Sequence, residues 1–139
     1  MVKTLDMQFI RYANLFSKIT RIRTNHCFEY NNNIIFVVPR KLVLKAIGKG
    51  NKNLETLNKI IGKRIKIVAT PEGIESIENF VSIIVKPARF KGIEIKNREA
   101  IITSNIQSKA SLIGRGKVRL REMENILEQY FDIKKVRVK

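Results

Sequence analysis

The chain is short of the residues on which most catalysis and most covalent stapling depend. Its 139 residues include one cysteine, one histidine, three prolines and no tryptophan. A lone cysteine excludes an internal disulfide and a thiolate zinc cluster, and the expected compartment is the cytoplasm. One histidine leaves general acid–base chemistry short of partners. His26 and Cys27 are adjacent, but neighbours on a strand face opposite sides, so they do not readily pair as base and nucleophile. Cys27 is expected inside and His26 outside. The carboxylates fall mostly on helix faces, so no catalytic residue, metal or cofactor is expected, and the chain is read as no enzyme. It also lacks a run of about 18 apolar residues, a signal-type apolar start and a basic amphipathic tail, so no membrane partner is expected. The ten Phe and Tyr side chains fall mostly on predicted core faces, which argues against stacking bases on aromatic platforms.

Acidic residues are scarce too. Twelve Asp and Glu face 28 Lys and Arg, a formal charge of +16. Residues 1–70 hold 14 basic and 3 acidic side chains (+11), and residues 71–139 hold 14 and 9 (+5). Surface ion pairing of the kind favoured at high temperature accounts for balanced charge but not for the excess in the first half. A polyanion, above all nucleic acid, is the natural partner.

What the chain does have is an internal repeat, which fixes the architecture before any motif is read. Ala46-Ile47-Gly48-Lys49-Gly50 matches Leu112-Ile113-Gly114-Arg115-Gly116 at an offset of 66. The same offset relates Leu54, Leu57, Ile60 and Ile61 to Leu120, Met123, Ile126 and Leu127. Upstream it aligns Asn31-Asn32-Asn33 with Asn97-Arg98-Glu99, and Ile34-Ile35-Phe36 with Ala100-Ile101-Ile102.

Each copy reads as α-β-β-α-α-β. Leu5, Phe9, Tyr12, Phe16 and Ile19 form one stripe of a helix over 4–19 behind a Thr4 N-cap. The second copy opens likewise, with Thr70 as cap, Pro71 in the first helical position and Glu72, Glu75 and Glu78 at the positive end of the dipole. Ile74, Ile77, Val81 and Ile84 are its buried face, and Pro87 ends it. Extended stretches 21–30 and 34–39 flank one turn, and 89–96 and 100–104 another, giving hairpins. A short helix runs into each glycine loop, a longer one leaves it, and strands 64–68 and 135–138 close the copies. Almost nothing separates Val68 from Thr70, so a rigid, packed pair of small units is expected.

The loops Gly48-Lys49-Gly50-Asn51 and Gly114-Arg115-Gly116-Lys117 carry the chemistry. Glycine has no Cβ to hold a nucleic-acid backbone away, and amides at a helix start donate to anions. Lys49, Lys52, Arg115 and Lys117 put charge where phosphates would lie, Arg119 flanks the second site, and Ile47 and Ile113 offer an apolar floor for bases. A nucleoside-triphosphate loop is excluded, because Ser111 stands where its first glycine would be and Val118 follows Lys117. A dinucleotide fingerprint is excluded by Asn53 and Arg119 at the place of its third glycine.

The element order and the paired apolar-Ile-Gly-basic-Gly loops resemble the K-homology domain of prokaryotic type, type II, whose Gly-x-x-Gly loop grips about four nucleotides of single-stranded RNA. Taken as a tandem over essentially the whole chain, the sequence is similar to the archaeal NusA-like transcription factors, which resemble bacterial NusA reduced to its paired K-homology domains. The resemblance implies an α/β (α+β) fold of two domains, 1–69 and 70–139, each a three-stranded sheet covered by helices on one face. It further implies binding to nascent single-stranded RNA, contact with RNA polymerase and a role in termination or antitermination, carried out as a monomer. A ribosome-associated K-homology protein is the alternative. The RNA contacts it implies are Ile47, Gly48, Lys49, Gly50, Asn51 and Lys52 in the first copy, and Ile113, Gly114, Arg115, Gly116, Lys117 and Arg119 in the second.

The chain departs from the family pattern at the fourth loop position, where glycine is replaced by Asn51 in one copy and Lys117 in the other. Asn tolerates left-handed backbone better than Lys does, so the first loop is expected to supply most of the affinity. Binding through phosphates is expected to weaken steeply with salt, the log–log slope being about −0.7 per phosphate neutralised on a single strand. Titrating a single-stranded RNA at several salt concentrations measures it, and a flat profile would remove the electrostatic premise.

Overall fold

The computed structural model describes residues 7–24 and 26–139. The chain divides into two compact units, one running to Thr70 and the other Pro71–Lys139. The first contains α1 (Met7–Thr20), β1 (Cys27–Tyr30), β2 (Asn33–Val38), α2 (Val43–Ile47), α3 (Lys52–Ile61) and β3 (Arg64–Ala69). The second contains α4 (Ile77–Val85), β4 (Gly92–Lys96), β5 (Glu99–Thr103), α5 (Ile106–Ile113), α6 (Val118–Phe131) and β6 (Lys135–Val138). Each sheet is three-stranded with the middle strand antiparallel to its predecessor and parallel to its successor. A parallel pair needs a crossover, and in each unit the helix–loop–helix segment with the glycines supplies it.

The repeat is a repeat of backbone as well as of residues. The pair Cys27↔Phe36 recurs 66 positions on as Ile93↔Ile102. The hairpins turn through two residues of positive φ, Asn31 (52°) and Asn32 (61°) in one and Asn97 (52°) and Arg98 (61°) in the other. Such turns match the twist of the strands and favour asparagine. Arg98 is out of place there on propensity. It is held by ion pairing to the Asp132 carboxylate, while its carbonyl accepts from the Lys134 N–H at 2.8 Å.

The helix-facing side of the first sheet places Ile34, Phe36 and Val38 against Phe16, Ala46 and Leu57, with Phe9, Tyr12 and Ile19 of the α1 stripe packed around them. Helix α1 ends as Thr20 donates its hydroxyl back to the Phe16 carbonyl at 2.8 Å and Arg21 turns left-handed (φ 63°). The expected Thr4 cap and the Leu5 contact lie outside the described residues. Strand β1 is shorter than the extended stretch read from the sequence. Before it, Thr24 Oγ1 donates to the Val37 carbonyl at 2.8 Å in place of a ladder bond.

Three expectations are corrected. First, the sheet of the first unit is not covered on one face only. Phe28, Tyr30, Ile35, Val37 and Val68, on the side away from the helices, are buried as well. The unbroken apolar run Ile34–Val38 is the mark of a strand buried on both faces, which alternation alone misses. The corresponding positions of the second sheet, Glu94, Lys96, Ile101 and Thr103, are exposed or half-exposed.

Second, Thr70 and Pro71 do not open the second unit's helix. Gly73 (φ 89°, ψ 172°) interrupts the chain, a 3-10 turn covers Ile74–Ser76, and α4 begins at Ile77. The Ser76 hydroxyl accepts from the Glu72 N–H at 3.0 Å and donates to the Gly73 carbonyl at 2.8 Å, so a bent start replaces the expected cap. Ile74 is consequently outside, at 47% exposure, while Ile77, Val81 and Ile84 are buried as expected. Third, the post-loop stripes differ: Ile126 is 1% exposed but its equivalent Ile60 is 58% exposed.

The stacked rings of Phe16 and Phe36, with centroids 4.4 Å apart and neither exposed, are the centre of the first core. Phe36→Ala is expected to cost about 3–5 kcal/mol, read as a lowered urea midpoint. A loss below about 1 kcal/mol would mean that this pair does not organise the core.

Candidate nucleic-acid interface

The two glycine loops have one backbone. Gly48 (φ 83°, ψ 159°) and Gly114 (φ 76°, ψ 165°) lie in a region essentially reserved for glycine. Gly50 (φ 63°, ψ 28°) and Gly116 (φ 64°, ψ 21°) are left-handed, and so are Asn51 (φ 63°, ψ 23°) and Lys117 (φ 63°, ψ 25°). Lys117 therefore takes the same conformation as Asn51. The backbone at the fourth loop position is thus the same in both copies, whichever residue occupies it.

Each glycine has its own reason to be there. A Cβ on Gly48 would sit 2.9 Å from the Asn53 nitrogen, and one on Gly114 would sit 2.9 Å from the Arg119 nitrogen and 2.6 Å from its Cγ. These glycines let the loop close onto the first turn of the following helix. A Cβ on Gly50 or Gly116 would meet nothing within 4 Å, so only the left-handed backbone asks for glycine there, and the chain at that point is open to a ligand.

The bend is tied internally. Asn51 and Lys117 donate their N–H groups to the carbonyls of Gly48 and Gly114, each at 3.1 Å, and Lys52 and Val118 donate to Lys49 and Arg115. These amides at the helix start were expected to face a phosphate but are already committed.

Side chains follow the expected placement with two refinements. Lys49, Asn51, Lys52, Arg115 and Lys117 are exposed, as are Gly50 and Gly116, and Ile47 and Ile113 are half-buried at the loop's root. Arg119 is also half-buried, since its stem packs under Gly114. Its counterpart Asn53 turns inward, donating from Nδ2 to the Lys45 carbonyl at 3.4 Å. Arg121 went unnoticed in the sequence, yet its guanidinium donates to the Gly116 carbonyl at 2.7 Å and braces the second loop from α6. The available signal was electrostatic: the first turn of α6 carries Arg119 and Arg121 and no acid, against the helix dipole.

Elsewhere the candidates for chemistry are quiet. Cys27 packs toward the first core, and burial followed by the nearby Glu29 carboxylate pushes its thiol up to about 12, away from thiolate reactivity. His26 is exposed. Among the described residues no group of three or more His, Cys, Asp or Glu is placed to hold a metal ion, and no helix is long and apolar enough to cross a membrane.

With this geometry in view, the chain can be set beside known proteins. It is 25% identical over 138 residues to the probable transcription termination protein NusA of Methanocaldococcus jannaschii, spanning 96% of this chain and 74% of that one. The similarity is thus to a NusA-type protein, at long range. The crystal structure of APE1850 shares the fold, with a TM-score of 0.62 and 24% identity over 94% of this chain and 96% of the other. No family model matches. The NusA-type similarity runs across both glycine loops.

The two glycines of a loop are expected to respond differently to a methyl group. Gly50→Ala should cost about 1–2 kcal/mol, the strain of left-handed backbone, and Gly48→Ala distinctly more because its Cβ also meets Asn53. Paired denaturant melts check this, and equal losses would refute the close-approach role of Gly48.

Proposed function

We propose that the chain is a single-stranded-RNA-binding protein of the NusA kind, built from two K-homology-like units and acting on the nascent transcript at RNA polymerase, in termination or antitermination. It performs no catalysis and carries no cofactor. The observation that supports this reading above the others is the glycine loop itself. It occurs twice, with the same left-handed backbone, with lysine or arginine on open ground, and at the start of an amphipathic helix. Such a bend gives a sugar-phosphate backbone close approach and charge without fixing base identity, which suits a protein that follows an RNA as it emerges. The NusA-type relative supports the transcriptional setting.

The single-strand preference follows from the same geometry. A loop that needs the backbone to lie flat against a helix start, with bases turned toward Ile47 or Ile113, is met by unpaired RNA and not by a duplex. None of the ten Phe and Tyr side chains is fully exposed as a platform: Phe16, Phe28, Tyr30, Phe36 and Phe80 are buried and the other five half-buried.

The test joins crosslinking of the protein to RNA in cells with isolation of whatever co-purifies. Crosslinks at residues 47–52 and 113–119, on transcripts still attached to polymerase, are the expected result. Recovery with ribosomal subunits and ribosomal RNA, and none with polymerase, would replace the transcriptional setting with a ribosomal one. Absence of RNA crosslinks at either loop would overturn the reading altogether.

A further inference from the structure

The two loops share a backbone but not a charge distribution, and the difference is systematic. On the incoming side of the first loop, the 3-10 turn Arg40–Leu42 leads into α2. Lys41, Leu44 and Lys45 stand at i, i+3 and i+4 and point the stripe at Gly48, with Arg40 beside them. All four side chains are exposed, Leu44 at 82%. No acid occurs between Glu29 and Glu55, and among the described residues none of these three cations is in an ion pair. At the same positions of the second unit, Ile106, Gln107, Ala110 and Ser111 are equally exposed and carry no charge.

The outgoing side is the reverse. Helix α3 opens with Lys52 and Asn53 and has Glu55 in its first turn, whereas α6 opens behind Lys117 with Arg119 and Arg121 and no acid. Before the loop the first unit has Arg40, Lys41 and Lys45 where α5 has Lys109 alone, and after it the second unit has Arg119 and Arg121 where the first turn of α3 has Lys52 beside Glu55, so the weight of charge shifts from the incoming to the outgoing side.

We propose that each loop extends its grip on a single-stranded RNA backbone along a different one of its own flanking helices, the first along the incoming helix and the second along the outgoing one. In the first unit phosphates continue from the loop along α2, on Arg40, Lys41 and Lys45, with a base resting on Leu44. In the second they continue along α6, on Lys117 and Arg119. This rests on the RNA-binding reading and goes beyond it, because a duplicated site would otherwise be expected to grip the same way twice. An exposed leucine between two lysines one turn apart fits RNA well. The cations meet successive phosphates while the apolar side chain covers a base face.

The test uses the full chain and an oligouridine of about 12 nucleotides, within the span of small single-strand sites. Dissociation constants are measured across a salt series. The combined variant Arg40→Gln, Lys41→Gln, Lys45→Gln is expected to flatten the log–log slope by about 2, each phosphate no longer neutralised accounting for about 0.7. Arg119→Gln is expected to flatten it by about 0.7. The mirror variant Gln107→Ala with Ser111→Ala is expected to leave it unchanged. Leu44→Ser should weaken binding several-fold at every salt concentration with the slope intact, the signature of a base deprived of its apolar rest. Circular dichroism checks that each variant is folded, above all Arg119→Gln, whose stem packs under Gly114 while the other positions are exposed.

If the unaltered protein binds the oligouridine but neither charge variant changes the slope, the flanking tracks are overturned while the RNA-binding reading stands. If the unaltered protein does not bind at all, that reading fails and takes the proposal with it. Retained RNA binding with loss of polymerase association in the α2 variant would make the stripe a protein-docking surface and overturn the proposal as well.

Discussion

The close approach of Gly48 to the first turn of α3, and of Gly114 to that of α6, is the constraint from which the rest follows. A Cβ at either position would enter the space of the residue five further on. To make that approach the chain leaves one helix, passes through a glycine of positive φ that other residues rarely adopt, and takes two left-handed residues before the next helix starts. Hydrogen bonds between amides and carbonyls inside the bend then lock it. The cost of left-handed Asn51 and Lys117 is borne by this closed geometry, and in return the loop's outer surface is left bare and cationic.

The same constraint explains why the two units diverged where they did. Positions that make the bend are held to glycine or are dictated by it, and they match at an offset of 66 down to a few degrees of φ. Positions that merely surround it were free to change. The charged stripe of α2 is answered on α5 only by Lys109, at a different position, and Arg121 on Gly116 has Glu55 as its equivalent. Likewise the sheet positions that are Phe28, Tyr30 and Val37 in one unit are Glu94, Lys96 and Thr103 in the other. Equal backbones thus carry unequal surfaces.

Most of the architecture was legible because it is periodic and occurs twice. The element order, the hairpin turns at Asn31-Asn32 and Asn97-Arg98, the closing strands and both loops came from patterns local to a few residues. What escaped was set by tertiary context. Gly73 and the Ser76 hydroxyl override the Thr70-Pro71 start signal, although each residue alone looks like a good helix opener. Lys117 is left-handed against its propensity because its neighbours leave no alternative. Ile60 keeps the apolar register of its helix yet lies at the surface, and Phe28 and Tyr30 are buried on a face that alternation assigns to solvent. The bracing by Arg121 and the latch of Arg98 onto Asp132 are contacts over 5 and 34 positions. No pattern of residue types specifies such partners uniquely.

The offset between the copies, 66 through both loops, becomes 71 at the last strand, where Ile34↔Ile65 is answered by Ala100↔Val136. Four of the five added positions lengthen α6 to 14 residues against 10 in α3. Four residues are close to one turn of about 3.6, so the extension advances the helix by a full revolution and leaves its apolar stripe in phase. The new turn brings Tyr130 and Phe131 edge-on to Phe80, at 5.4 and 5.9 Å between centroids. Growth of this kind is quantised: two residues would have rotated everything downstream to the wrong side, whereas a whole turn adds an aromatic cluster and disturbs nothing before it.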